Sequence, residues 1–315
     1  MPRDKKQPGS IIYGPVPSRR LGRSLGVDIV PYKTCTYDCI YCQIGRTPKT
    51  TTERRPYIDH TEILADLEGR LKDGIKPDYI TIGGSGEPCL NSDIGNIIEG
   101  AKKLSDIEVA VLTNGSLLWS PEVQEDLMEA DVVLPSLDAC DEESFRKINR
   151  PHKDISFDKM LAGMADFRKV YPGRIWLEIF IVQGINDTEA AMAAFEPCVK
   201  AVAPDKIHIN TSVRPPAEDY AEEVSAQRLE HLAAALGHGA EVVAEFEAEG
   251  DGENGKNMDR EILDMLSRRP CTASDIAAGL GLAQKHVNGR IAELLESGKL
   301  ETRESGGRTH YLKKD

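Results

Sequence analysis

The 315-residue sequence lacks any long apolar run and has fewer basic than acidic residues. No stretch approaches the roughly 18 apolar residues that a membrane-spanning helix needs, so we expect no membrane span. The first ten residues are polar and basic with no apolar segment after them, so we expect no secretory signal and a cytoplasmic location. The net charge of -13 argues against a general nucleic-acid-binding surface.

Cysteine is also scarce, with seven residues in the chain. Three lie within eight residues of one another and four are scattered, which does not resemble the disulfide framework of a small secreted domain. We therefore expect reduced thiols. The scattered cysteines are predicted to be buried structural thiols, although the first two follow candidate strands and could face a cavity. They are Cys89, Cys140, Cys198 and Cys271.

The basic residues that are present are concentrated at the N-terminal end. Residues 1–55 carry 11 Lys and Arg against 4 Asp and Glu, a net charge of +7. Arg19, Arg20 and Arg23 precede the first candidate strand, and guanidinium groups bind carboxylate or phosphate through paired hydrogen bonds. We expect these three arginines to hold a substrate anion. The alternative is that they are solvated arginines on a coil.

Short β-rich runs alternate with amphipathic helical patterns, which is typical of a parallel α/β sheet or barrel. Polar and glycine-rich segments fall just after the strands, where such folds place their active sites. We therefore predict an α/β fold, a partial (β/α)6 TIM-like barrel. A helix is predicted over Glu189 to Val202, with a kink or interruption at Pro197. The six predicted strands are Ser24 to Val30, Tyr79 to Ile82, Glu108 to Leu112, Val132 to Leu137, Ile175 to Val182 and Lys206 to Asn210.

The composition changes near residue 247 and predicts a second, small domain. The barrel is predicted to occupy residues 1–246, and the acidic, glycine-rich residues 247–257 are predicted to be a linker. Residues 258–315 carry three helical patterns and a hairpin turned at Gly306 and Gly307. This order is similar to a winged helix-turn-helix, whose recognition segment would run from Gln284 to Arg290.

Cys35, Cys39 and Cys42 form a C-x3-C-x2-C run shortly after the first candidate strand. A 4Fe-4S cluster normally takes four thiolates, so three would leave one iron open to a small chelating ligand. A zinc site is a weaker interpretation, because the nearest downstream histidine, His60, is too distant for a compact zinc knuckle. A dithiol redox pair would leave Cys35 without a function.

The motif resembles that of the radical S-adenosylmethionine (SAM) superfamily, including the aromatic Tyr41 before the last cysteine. The resemblance covers roughly residues 11–246 and implies a 4Fe-4S cluster, SAM as cosubstrate, and an external electron donor such as flavodoxin or ferredoxin. The segment after the second strand is similar to the family's glycine-rich methionine-binding segment. Its predicted SAM-binding residues are Gly83, Gly84, Gly86 and Glu87.

Polar residues at the ends of later strands are further candidates for SAM contacts. Asn114, Ser136, Asp138 and Glu178 could bind the ribose or the carboxylate, and each could equally be a cap or turn residue. No catalytic residue is assigned. His208 lies within a candidate strand, where an interior histidine with satisfied hydrogen bonds is the default interpretation.

The resemblance implies a radical enzyme, in which reductive cleavage of SAM gives a 5'-deoxyadenosyl radical that abstracts hydrogen from a substrate. The chain is most similar to the branch of wyosine-type tRNA-modifying enzymes, which carry additional upstream cysteines, whereas this chain has none before Cys35. An anionic small molecule, a tRNA or a protein therefore remains open as substrate or as partner of the winged helix. The alternative is an iron-sulfur redox-sensing regulator that binds DNA through its winged helix.

Overall fold

The computed structural model describes residues 11–243 and 258–314, so the predicted linker lies outside the described residues. Residues 11–243 build a single eight-stranded sheet whose strands lie in chain order. The strands are β1 (Ile12–Ser18), β2 (Gly22–Val27), β3 (Tyr79–Ile82), β4 (Glu108–Thr113), β5 (Val132–Pro135), β6 (Arg174–Ile181), β7 (Lys206–Thr211) and β8 (Glu241–Val242).

The pairing of the strands is mostly parallel. β1 runs antiparallel to β2, and each strand from β2 to β8 is parallel to the next. Parallel neighbours need crossover helices. These are α1 (His60–Lys72), α2 (Ile94–Leu104), α3 (Pro121–Asp126), α4 (Glu142–Ile148), α5 (Phe157–Val170), α6 (Glu189–Val202) and α7 (Ala226–Leu236). The result is an α/β fold consistent with a partial barrel.

All six predicted strands are present, with their ends shifted by up to three residues. β1 and the two-residue β8 were not predicted. The sequence of β1 contains Gly14, Pro15 and Pro17, which argue against a central strand but are tolerated at a sheet edge. Of the kink or interruption predicted at Pro197, the interruption is wrong, because α6 is continuous from Glu189 to Val202.

Local signals explain where several helices begin. The side chain of Asp59 accepts a hydrogen bond from the backbone nitrogen of Thr61 at 2.8 Å and caps α1. Pro121 occupies the first turn of α3, where its missing N–H costs no helical hydrogen bond. Ile63 and Leu67 of α1 are four residues apart and both fully buried, so this helix packs its apolar face on the sheet.

Residues 258–314 form three helices and a β-hairpin, in the order predicted from the sequence. These elements are α8 (Met258–Leu266), α9 (Ala273–Leu280), α10 (Gln284–Glu296), β9 (Leu300–Ser305) and β10 (Arg308–Lys313). Thr272 caps α9 through a reciprocal pair of hydrogen bonds with Asp275. Gly306 and Gly307 adopt left-handed backbone angles at the hairpin turn.

The core of the C-terminal elements extends onto β1. Their buried cluster includes Val16 of β1, and Tyr13 of β1 packs against it. β1 is an edge strand of the large sheet, and this edge is covered by α8 and α9, which contact β1. Covering an exposed edge strand prevents it from pairing with other chains. It also places the C-terminal segment beside the residues that follow β1.

Candidate functional site

The three clustered cysteines lie in a loop after β2 that is fastened to the end of α4. The backbone nitrogen of Ile40 donates to the carbonyl oxygen of Ile148 at 3.0 Å, and that of Asp38 donates to Asn149 at 3.1 Å. Tyr37 is buried in the same loop and packs edge-on against Phe145, with ring centroids 5.3 Å apart. These contacts anchor the loop to α4.

The thiols of this loop are free and partly exposed. Burial, followed by the negative charge of Glu87, raises the pKa of Cys35 to about 12. Burial and the neighbouring Asp138 also raise the pKa of Cys39 well above its usual value. Thiolates are therefore unfavourable here unless a positive charge compensates them. The irons of a cluster would supply that charge, so the donor chemistry fits such a group.

Each sulfur atom also has a nitrogen donor beside it. The donor–sulfur distances are 3.5 to 3.6 Å, and hydrogen bonds to the sulfurs are one of the ways in which a protein tunes an iron-sulfur cluster. The pairs are Lys33 Nζ with Cys42 Sγ, Asn114 Nδ2 with Cys35 Sγ, and Asn149 Nδ2 with Cys39 Sγ. The loop is therefore equipped to stabilise three thiolates.

No three His, Cys, Asp or Glu side chains in residues 11–243 and 258–314 are grouped as ligands of one metal ion. A cubane cluster takes one thiolate at each of several separate iron corners. Its ligands therefore need not converge on a single point.

The glycine-rich segment after β3 is hydrogen-bonded to the cysteine loop. The backbone nitrogen of Lys33 donates to Ser85 O at 2.7 Å, and that of Glu87 donates to Thr34 O at 3.0 Å. A Cβ atom at Gly86 would lie 1.9 Å from the carbonyl oxygen of Thr34. Glycine is required at this position by the close approach of the two segments. Gly84, in contrast, is exposed.

Glu87 does not face the site as an open carboxylate. It is 1% exposed, and its oxygens accept hydrogen bonds from Cys89 N at 3.0 Å, Thr113 Oγ1 at 2.6 Å and Asn114 N at 2.7 Å. Burial raises its pKa. The side chain ties the end of β4 to the glycine-rich segment and so fixes the position of Asn114.

Asp138 has the same role at the end of β5. It is 2% exposed, and it accepts hydrogen bonds from Tyr41 Oη, from Asn149 Nδ2 at 2.7 Å and from Phe180 N at 3.1 Å. Burial raises its pKa to about 6. The ring of Tyr41 stacks on Phe180 with centroids 3.8 Å apart. Asp138 therefore orients Tyr41, which remains partly exposed, as does Ser136.

A cavity of about 220 Å³ adjoins the cysteine loop. Of the three arginines predicted to bind an anion, Arg19 and Arg20 line it, and Arg20 forms an ion pair with Glu178. Arg23 is not among its lining residues, and its backbone nitrogen donates to Asp78 at 2.7 Å. The cavity is lined by Ser18, Arg19, Arg20, Tyr41, Cys42, Gln43, Glu178, Phe180, Asn210, Thr211, Ser212, Val213, Arg214 and Arg269.

Sequence reasoning did not identify two of these arginines. Arg214 follows β7, and Arg269 lies between α8 and α9 in the C-terminal segment. A signal was available for Arg214, because it follows a strand at the active-site end of the sheet. No local pattern marks Arg269, since its place in the cavity depends on how the C-terminal segment packs against β1.

The C-terminal segment reaches the glycine-rich segment directly. Arg268 forms a buried ion pair with Asp28, whose oxygen lies 2.6 Å from the guanidinium. The other oxygen of Asp28 accepts from Ser85 N at 3.1 Å. Arg268 also stacks over the ring of Tyr13, and Tyr13 Oη donates to Gly83 O at 2.9 Å. The buried pair of Arg268 and Asp28 thus joins residues 258–314 to the glycine-rich segment.

The remaining candidate residues have mainly structural surroundings. Cys89, Cys198 and Cys271 are buried as predicted, and Cys140 is partly exposed. His208 packs edge-on against Trp176 with centroids 5.6 Å apart, and burial lowers its pKa. Its Nδ1 has no hydrogen-bond partner among the described residues, so the expectation that this histidine is satisfied is wrong.

The predicted recognition segment on α10 is partly engaged within the protein. Arg290 forms ion pairs with Asp259 and Glu293. Gln284, Lys285 and Asn288 are exposed. None of the helices in the described parts of the chain is long and apolar enough to span a bilayer.

Comparison with known proteins gives the following relationships. The model of the Radical SAM superfamily matches residues 29–195. A UPF0026 protein of Methanocaldococcus jannaschii is 34% identical over 313 residues, which cover 96% of each chain. A protein of Brachyspira hyodysenteriae named GTPase Obg is 36% identical over 292 residues, 92% of this chain but 43% of that protein. The solved structure of TYW1 with a lysine-pyruvate adduct bound shares the fold, at 21% identity and a TM-score of 0.51, covering 68% of this chain and 72% of that one.

Proposed function

This chain belongs to the radical SAM superfamily and to the UPF0026 proteins, and we propose that Cys35, Cys39 and Cys42 are the ligands of its 4Fe-4S cluster. It is a radical SAM enzyme whose cofactors are such a cluster and SAM. When bound and reduced, the cluster would supply the electron for reductive cleavage of SAM and thereby the radical chemistry that we propose for this enzyme. Flavodoxin or ferredoxin is the proposed source of that electron.

The observation that carries the ligand assignment is the environment of the three thiols. They are confined to one anchored loop, each sulfur has a nitrogen donor within 3.6 Å, and two of them have a raised pKa. A buried thiol destabilises the folded chain when it is ionised and no positive charge lies beside it. A tripodal cluster ligand set accounts for all three features together.

The proposed SAM contacts divide into residues that touch SAM and residues that position them. Tyr41, Gly84, Asn114 and Ser136 are at least partly exposed, and we assign direct contacts to them. Glu87 and Asp138 are buried and already hydrogen-bonded. They act by fixing Asn114 and Tyr41, which differs from the direct contacts expected from the sequence.

We further propose that the substrate is anionic, because four arginines line the cavity next to the cysteine loop. A tRNA substrate, as in the wyosine-type branch, would satisfy the charge requirement and is separated from a small molecule by the experiments below. For residues 258–314 we propose a winged helix-turn-helix that is attached to the barrel. Its ion-paired Arg290 does not favour a DNA-binding regulator.

Anaerobic reconstitution of the full chain tests the proposed function. The reduced protein is expected to show the absorption and electron paramagnetic resonance of a 4Fe-4S cluster, a spectral change when SAM is added, and formation of 5'-deoxyadenosine. A protein that binds no cluster, or that binds a cluster but never cleaves SAM, would falsify the proposal. A cluster-dependent affinity for specific DNA without SAM cleavage would favour the regulator.

A further inference from the structure

The side chains that line the cavity carry more positive than negative charge. Four arginines and one carboxylate line it. Arg20 is paired with that carboxylate, Glu178. Arg214 has a distant partner, Asp275, at 3.5 Å, and Asp275 also accepts hydrogen bonds at the start of α9. The cavity wall as a whole therefore carries excess positive charge.

Two of the arginines have no carboxylate within ion-pair distance. Across residues 11–243 and 258–314, neither Arg19 nor Arg269 has an Asp or Glu oxygen within 4.0 Å of its guanidinium. The pKa of Arg19 is lowered to about 10 by burial and by the nearby guanidinium groups of Arg214 and Arg20. Like charges held together in a partly desolvated site repel each other unless an anion lies between them.

Hydrogen-bonding capacity is also left over on this wall. Arg214 Nε, Arg269 Nε and Arg269 Nη2 are buried and have no hydrogen-bond partner among the described residues. A buried donor without an acceptor costs on the order of 1–3 kcal/mol, and such groups are uncommon in folded proteins. An oxyanion bound in the cavity would accept hydrogen bonds from the arginine side chains that line it.

We propose that Arg19, Arg214 and Arg269 form a binding site for a carboxylate or phosphate group of a small substrate molecule. This inference rests on the proposed function and names the substrate class of the same site. The cavity includes Tyr41 and Cys42 of the cysteine loop but none of the glycine-rich residues 83–87. The arginine-lined cavity therefore shares Tyr41 with the proposed SAM contacts but does not include the proposed methionine-binding segment, and we assign its arginines to the substrate.

The size of the cavity and its wall favour a small molecule. Its volume of about 220 Å³ is below the usual range for drug-sized ligands. The C-terminal segment contributes Arg269 to the lining of the cavity. A polynucleotide would need an open approach to the same arginines.

The C-terminal segment is held so that Arg269 reaches the cavity. The preceding residue, Arg268, is fixed by Asp28 and by the ring of Tyr13. Two residues later, Cys271 exchanges backbone hydrogen bonds with Tyr311 at 3.2 and 2.8 Å. Arg269 is therefore carried on a short connection that is anchored on both sides. The C-terminal segment completes the substrate site of the barrel.

Binding of simple anions to the reconstituted full chain tests this inference. Inorganic phosphate and succinate are titrated separately by calorimetry in the presence of SAM, and the stronger of the two identifies the group. We expect saturable binding that Arg269→Gln and Arg19→Gln each weaken about tenfold or more, since charge-assisted hydrogen bonds are lost. Arg269→Lys is expected to restore part of the affinity, because the charge is kept but the planar fork is not.

Arg303→Gln is the matched control, because Arg303 lies on the exposed hairpin beside the fully exposed Asp219. It should bind both probes as the wild type does. Arg19→Gln lies outside the C-terminal segment and keeps the test decisive if Arg269→Gln folds poorly. The absence of saturable binding, equal affinities in wild type and both variants, or a matching loss of SAM affinity would overturn the inference.

One further outcome would distinguish a tRNA from a small-molecule substrate, and another would distinguish the anion site from the proposed function. Binding of total tRNA that both variants weaken, without binding of either small probe, would overturn the small-molecule assignment. Arginine-dependent anion binding by a protein that does not cleave SAM would contradict the proposed function while leaving the anion site intact.

Discussion

The surroundings of the cysteine loop, here the cofactor side, and the arginine-lined cavity, here the arginine side, differ in how their charged groups are paired. On the cofactor side, Glu87 and Asp138 each accept three hydrogen bonds. On the arginine side, three buried guanidinium nitrogens have no partner among the described residues. The carboxylates of the first side are paired and hold its loops in place, although Asn149 Oδ1 beside them has no partner among the described residues. On the second side, we expect the proposed anion to supply partners when it binds.

This contrast distinguishes residues that position other side chains from residues that are available to bind a ligand. Glu87 and Asp138 are buried and each already accepts three hydrogen bonds, so we assign them a positioning role through Asn114 and Tyr41. Guanidinium groups that repel one another remain available. Substitutions on the cofactor side should therefore affect folding and cluster content, whereas those on the arginine side should affect substrate affinity.

The largest effect is expected for Cys39→Ser, which removes one proposed cluster ligand. Outer partners of metal ligands are worth about 10–100-fold, so loss of a ligand itself should lower 5'-deoxyadenosine formation by roughly 100-fold or more. Iron content and the cluster's absorption should fall together with it. Cys198→Ser, on α6, is the control and should retain both. A Cys39→Ser enzyme that kept its activity would contradict the assignment of Cys39 as a cluster ligand.

Arg268→Met should be the most destabilising change at the junction between the C-terminal segment and the barrel. It leaves Asp28 as a buried carboxylate without its guanidinium partner, and breaking a buried pair costs about 3–5 kcal/mol. Denaturant unfolding of the full chain measures this change. Arg303→Met, whose partner Asp219 is exposed, should cost about 0–1 kcal/mol. Equal losses would mean that the segment is not anchored through Asp28.

A smaller loss of stability is expected for Gly86→Ala. The added methyl group would lie 1.9 Å from the carbonyl oxygen of Thr34, and overpacking of this kind costs about 1–3 kcal/mol. Gly69→Ala is the control, since Gly69 is an exposed residue of α1 with open space around its Cα, and alanine there should stabilise by about 0.5–1 kcal/mol. The midpoint of thermal unfolding compares the two variants.

The candidate residues of the cofactor side could be selected from the sequence because that side is local. Cys35, Cys39 and Cys42 lie within eight residues, and the glycine-rich segment directly follows a β-rich run. The direct role expected for Glu87 differs from its buried position, because hydrogen bonds from Cys89, Thr113 and Asn114 are set by tertiary packing. Motif spacing shows which residues are near the site but not which way they face.

The substrate side could be predicted only in part, because it is assembled from distant segments. Arg19 and Arg20 were recognised by their charge, while Arg269 reaches the cavity from 250 positions further along the chain. β1 was missed because Gly14, Pro15 and Pro17 are unfavourable in most strands. The packing of α8 and α9 on β1 is what joins the two ends of the chain, and no periodic pattern encodes it.

The smallest effect concerns the attachment of the C-terminal hairpin at acid pH. His310 on β10 is buried, with Nε2 3.2 Å from the carbonyl oxygen of Val213, and burial lowers its pKa below the ordinary 6.5. As pH falls below 6.5, the unfolded chain takes up the proton before the folded chain does, so stability is lost. His310→Gln should lose less stability than wild type between pH 7 and 5.

The exposed His238 supplies the matched control for that measurement. His238→Gln should follow the wild-type pH dependence in denaturant unfolding, because the side chain of His238 is not buried. If both histidine variants follow the wild type, burial of His310 does not contribute to the pH dependence. If His310→Gln alone flattens it, the junction between the hairpin and the segment after β7 is the part of the substrate side that acid weakens first.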